Sequence, residues 1–154
     1  PEAREFSVRF TAREDFVNPA GTVQGGMLTA MIDDTMGPAV VAASGGTRMC
    51  RTIDLHSHFL RPVMPGPVLV RARVVRLGQQ VAFIEASLFD GDDRLTGDAY
   101  GLGKSRLAHI VMRFAEFFDA IGDRWSFGHV TPPVDRRGLS ARIRQFARRS
   151  GCPQ

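Results

Sequence analysis

The sequence predicts an α+β domain in which a single antiparallel sheet lies against one long apolar helix. Three observations carry this. The segments run in the order strand, long helix, four strands. The last four strands are joined mostly by short turns, which makes neighbours antiparallel. The helical segment is apolar nearly all round, so it needs burial on most of its sides.

Each element follows from its residues. Glu5–Thr11 (EFSVRFT) alternates Phe6, Val8 and Phe10 with polar residues, as a half-buried strand does. Arg13–Gln24 is a loop, marked by Asn18-Pro19 and Gly21. Gly26–Ala43 reads as the helix, stopped by Ser44-Gly45-Gly46. Pro38 removes a backbone donor within it, which predicts a kink or change of pitch between Asp34 and Pro38. Met49–Leu60 is a strand with Ile53, Leu55, Ser57 and Phe59 on one face and Thr52, Asp54, His56 and His58 on the other. RPVMPGP turns the chain into Val68–Arg76, where Val68, Val70, Ala72 and Val74 oppose Arg71 and Arg73. Leu77-Gly78-Gln79 leads to Val81–Phe89, and the hairpin chemistry of Asp90-Gly91-Asp92-Asp93 leads to a last strand, Arg94–Gly101.

Charge divides the chain. Residues 1–103 hold ten Arg against twelve acids, a net of −2; residues 104–154 hold nine Arg and Lys104 against four acids, a net of +6. The division predicts a core domain over 1–103 and a basic C-terminal extension over 104–154. Within the extension, Leu107, Ile110, Val111, Phe114, Phe117, Phe118 and Ile121 recur at helical spacing, predicting an amphipathic helix over 106–121 with an irregular remainder. The core charge does not suit a nucleic-acid binder. No apolar run approaches the ~18–20 residues of a membrane span. PEAREFSV has no apolar signal region, and Cys50 and Cys152 make no disulfide framework, so a cytoplasmic protein is expected. His56 and His58, at i and i+2, have no third ligand at metal spacing, so no metal site is expected and a surface or interface pair is favoured.

NPAGTVQGGMLTAMIDDTMGPAV, residues 18–40, raises the functional question, because two adjacent acids stand in an apolar helix that begins at two glycines. Together with TIDLHSHFLRPVMPGPVLVRARVVRLGQQVAFIEASLFD, it resembles the hotdog-fold acyl-CoA thioesterases, in particular the PaaI-like branch, over roughly residues 5–101. The resemblance implies a five-stranded antiparallel sheet wrapped on one long central helix, with the C-terminal extension atypical. It also implies a side-by-side homodimer, or a homotetramer built from such dimers, with active sites at the dimer seam. Many relatives carry His before the two glycines, whereas this chain carries Gln24, which removes an imidazole as acid or base.

The chemistry of those residues agrees. A helix N-terminus presents free N–H groups and partial positive charge. Gly25 and Gly26 carry no side chains to block approach, so Gly25 N–H is a candidate oxyanion donor, worth about 3 kcal/mol in such a role. Asp33, eight residues on and about 12 Å along the helix, is too far to touch a carbonyl held at Gly25 of its own chain. A two-fold pairing of antiparallel helices would bring Asp33 of one chain to Gly25 of the other. The candidate catalytic residues are therefore Asp33 (base or nucleophile), Asn18 (donor or water holder), Gly25, and Thr52, which the resemblance places facing the helix. Gln24 and Gly26 are candidate substrate-binding residues. The bland alternatives are a solvated acid patch, close helix packing at the glycines, turn chemistry for Asn18, and a solvated face for Arg71 and Arg73. The expected activity is hydrolysis of small or medium acyl- or aryl-CoA, with no cofactor; the alternative is a non-catalytic acyl-CoA-binding or scaffold protein.

Overall fold

The computed structural model describes residues 5–107. Strand β1 (Glu5–Ala12) leads through a 3-10 turn (Glu14–Phe16) to helix α1 (Gly25–Ala43), then to β2 (Arg48–Phe59), β3 (Gly66–Leu77), β4 (Val81–Phe89) and β5 (Leu95–Leu107). All five strands form one antiparallel sheet in the order β1-β3-β4-β5-β2. β1 and β2 are therefore the two edges, and α1 carries the chain across one face of the sheet from one edge to the other. This is the layout the hotdog resemblance implies. Among the described residues, no helix is long and apolar enough to cross a membrane.

The core lies between α1 and the inner face of the sheet. Leu28, Met31, Ile32, Thr35, Met36, Ala39 and Val40 are buried, and their spacing traces one continuous stripe along α1. They meet Phe6, Val8 and Phe10 of β1 and the buried valines and alanines of β3 and β4. The far side of the helix is only half-buried in the single chain. α1 continues through Pro38 without a break. The missing N–H leaves the Asp34 carbonyl without its usual intrahelical donor. Gly45 and Gly46, both at positive φ, end the helix as a side-chain-bearing residue could not without strain, and Gly46 N–H donates to the Val41 carbonyl.

The inner face of β5 carries only small residues. Gly97, Ala99, Gly101 and Gly103 stand opposite Leu88, Ala86, Ile84 and Ala82 of β4, and buried Ser105 stands opposite Cys50 of β2. A methyl on Gly101 would meet Met36 Sδ at 2.8 Å, and one on Gly103 would collide with Cys50 Sγ. The stripe therefore sets how closely α1 and β2 approach β5.

Two expectations change. The last strand runs to Leu107, six residues beyond its expected end at Gly101, because Gly103–Leu107 keep pairing with Arg48–Thr52 of β2. It crosses the expected boundary at 103/104 unbroken, and Arg106 and Leu107 are strand at the start of the predicted helix over 106–121. Residues 108–121 of that helix, and the rest of the extension, lie outside the described residues. The second change is a bulge. The β2–β5 register slips between Thr52 and Asp54, leaving Ile53 as the extra residue, 58% exposed. Simple alternation put Thr52 opposite Leu55, Ser57 and Phe59; the bulge moves it onto their side, facing α1, and turns Ile53 out.

Candidate active site

The seam between α1 and edge strand β2 gathers most of the residues singled out in the sequence. At its middle, Thr52 Oγ1 donates to Asp33 Oδ1 at 2.5 Å. Charge-assisted bonds of this kind are short and stronger than neutral ones. The bond fixes the carboxylate's rotamer and leaves Oδ2 open. Asp34 follows immediately, half-buried, with no hydrogen-bond or ion-pair partner among the described residues. Burial pushes its carboxyl above the ordinary value, and the neighbouring Asp33 charge adds to the rise.

At the other end of the seam the helix begins. Its first turn needs acceptors for four N–H groups. The Gln24 carbonyl takes two of them, from Met27 at 2.9 Å and Leu28 at 3.3 Å. Gly25 and Gly26 N–H have no acceptor among the described residues, and the Gln24 side chain makes no capping bond. The backbone holds this end in place, since Val23 N–H donates to the Val63 carbonyl and Gln24 N–H to that of Phe16, each at 2.8 Å. Gln24 thus braces the loop through its main chain, with its side chain exposed.

Asn18 is not drawn to this seam by any bond. Its Oδ1 accepts from Ala20 N–H at 2.9 Å and Thr22 N–H at 3.3 Å, and its Nδ2 donates to Thr22 Oγ1 at 3.0 Å. This is turn chemistry, closing the loop that delivers the chain to Gly25. One amide hydrogen of Asn18 remains for another acceptor.

Sequence reasoning did not single out Cys50, Ser57 or Phe59 for the site. Cys50 is half-buried near Asp33; burial first, and the Asp33 charge second, push its thiol up, which keeps it protonated and a poor nucleophile. Ser57 Oγ is buried with no hydrogen-bond partner among the described residues. Phe59 packs on Gly25. The available signal was the spacing Leu55, Ser57, Phe59 on one strand face, but the bulge that adds Thr52 to it carries no sequence mark.

The other candidates lie elsewhere. His56 Nε2 meets Asp54 at 3.0 Å and His58 Nδ1 meets Asp98 at 2.9 Å, on exposed positions of the outer sheet face. No group of three His, Cys, Asp or Glu able to hold a metal ion occurs among the described residues. Arg73 pairs with Glu85 at 2.5 Å, and Arg71 lies 4.8 Å from the Phe89 ring centre. A shallow depression of about 360 Å³ lined by Val75, Arg76, Phe83, Ile84, Glu85, Tyr100 and Gly101 includes exposed outer-face residues, and neither Asp33 nor Thr52 lines it.

Comparison with known proteins places this seam in context. Residues 20–96 match the family described as Thioesterase superfamily. A phenylacetic acid degradation-related protein of Ralstonia eutropha JMP134, of known structure, is 35% identical, with a TM-score of 0.62 over 66% of this chain and 76% of its own. A Pseudomonas aeruginosa protein named "Putative esterase" is 32% identical over 64% of this chain and 74% of its own. A Streptococcus mutans protein solved with bound acetyl-CoA shares the fold at 15% identity, with a TM-score of 0.63 over 69% of this chain and 84% of its own.

Proposed function

The chain belongs to the thioesterase superfamily, and from that premise we propose that it hydrolyses small or medium acyl-CoA or aryl-CoA thioesters to the free acid and CoA. The observation that carries this is the arrangement of the α1–β2 seam. A carboxylate oriented by a hydroxyl stands at its middle, and two amides without acceptors stand at its start.

In the proposed reaction the thioester carbonyl oxygen accepts from Gly25 N–H, aided by Gly26 N–H and the positive end of the helix. Asp33 activates the attack, as base on water or as nucleophile, with Thr52 holding its other oxygen. The thiolate leaves and takes a proton as CoA. No metal or redox cofactor enters. Asn18 shapes the approach loop and offers its spare amide hydrogen, while Gln24 lines the entrance.

Asp33 and Gly25 of one chain are about 12 Å apart along the helix, so the proposal includes a two-fold pairing of seams. Three features support a second copy. Among the described residues β2 is an unpaired edge; Met49, Ile53 and Leu60 are apolar and exposed on or beside it; and the far side of α1 is only half-buried. The acetyl-CoA of the Streptococcus mutans protein is consistent with a CoA-type ligand in this fold.

The test is release of CoA thiol from acetyl-, hexanoyl- and benzoyl-CoA. Wild type is expected to turn over at least one of them, and Asp33→Ala to lose roughly a hundredfold or more of that rate. Equal, negligible rates for both proteins on every substrate would overturn the hydrolase. Tight binding without turnover would instead favour a non-catalytic acyl-CoA-binding protein. Refolding Asp33→Ala together with Gly25→Val should restore activity that neither has alone, because one seam of each mixed pair is intact; no recovery would overturn the shared site.

A further inference from the structure

We propose that Phe59 selects the acyl group, a step that rests on the thioesterase reading and adds a specificity-determining residue to it. Its ring lies across the helix start. A methyl built on Gly25 would stand 3.0 Å from Phe59 Cε2 and 3.5 Å from Cδ2 and Cζ. The opposite edge rests on Gly97, where a methyl would meet Cδ1 at 3.6 Å. Two glycines, one on α1 and one on β5, thus make the slot that seats the ring.

A ring seated on both edges would ordinarily be buried, yet Phe59 remains 45% exposed. The part left open is therefore an apolar wall beside the amides at Gly25 and Gly26, the only first-turn N–H groups of α1 without an acceptor among the described residues. Whatever is attached to a carbonyl held there meets this wall first. An unbranched chain or a planar ring lies along it with favourable contact. A branch on the carbon next to the carbonyl is driven into it.

Specificity of this kind is a ratio of kcat/KM values, and a shape mismatch of one methyl group in an apolar site is worth about tenfold or more. The experiment compares butyryl-, isobutyryl- and benzoyl-CoA with the full chain, Phe59→Ala and Phe59→Tyr. Wild type is expected to favour butyryl over isobutyryl. Phe59→Ala should reduce that preference about tenfold and raise KM for benzoyl-CoA. Phe59→Tyr should retain the wild-type profile. An equal fall in kcat/KM for all three substrates in the alanine variant would make the ring a packing element only and overturn the proposal.

The same ratio, read as Kd for the non-hydrolysable S-butyl, S-isobutyl and S-benzyl thioethers of CoA, does not depend on turnover. If wild type hydrolyses nothing but the thioether ratios still shift in Phe59→Ala, the hydrolase reading fails and the acyl-selecting role stands. If turnover is normal and neither ratio shifts, the acyl-selecting role fails alone.

Discussion

The two faces of the sheet treat their polar groups in opposite ways. On the outer face charges meet partners at exposed positions, with Arg73 on Glu85, His58 on Asp98, His56 on Asp54 and Arg71 over Phe89. Each such exposed pair is worth about 0–1 kcal/mol and asks for nothing further. On the inner side, along α1 and β2, polar groups are left over. Gly25 and Gly26 N–H lack acceptors, Asp34 lacks a partner and Ser57 Oγ is buried without one, all among the described residues. Of these, Ser57 Oγ is buried outright, and leaving such a buried group unmade costs about 1–3 kcal/mol. The difference teaches where binding belongs: a ligand or a second copy gains most where the chain has left its own groups open.

The largest effect should come from Thr52→Val, which keeps the shape of the side chain but removes the hydroxyl that donates to Asp33. The expected outcome is thioester hydrolysis lowered roughly a hundredfold with far-UV circular dichroism unchanged; retained activity would show that this hydroxyl does not set the seam.

A smaller effect concerns Asp34 and sharpens the contrast by pH. Its carboxyl is raised on folding, by burial first and Asp33 second. The unfolded chain therefore releases this proton at lower pH, and the fold loses stability as pH rises from the ordinary value of 3.8 up to the raised one. Asp34→Asn should match wild type in acid below that range and melt a few degrees higher at pH 7, as measured by thermal unfolding across pH. A lower melting temperature at pH 7 would mean that a donor from a second copy holds the carboxylate.

The smallest effect belongs to the outer face. Arg73→Ala should change unfolding free energy by under about 0.5 kcal/mol and leave hydrolysis untouched. A marked loss of activity would break the division between the two faces.

Local patterns made much of this legible. Alternation marked β1, β3 and β4, and the glycine pair marked the start of α1 within one residue. The resemblance placed Thr52 on the strand facing the helix, and its hydrogen bond to Asp33 gives that position a geometry. Asn18 reads differently in place. Its side chain is occupied by Ala20 and Thr22, which the adjacent Pro19 and Gly21 foretold, since an Asx turn is a local structure. The β5 extension to Leu107 was hidden because GLGKS has no strand-forming residues of its own; its pairing comes from β2 and β4.

By itself, then, the sequence determined the strand and helix periods, the turns and the chemical types available, because these depend on neighbours within a few residues. Tertiary structure alone decided which face Thr52 takes, how near α1 comes to β5, and that Phe59 sits on Gly25. Those outcomes depend on register and on small residues from strands far apart in the chain, where a single extra residue in one strand reverses the direction of a side chain.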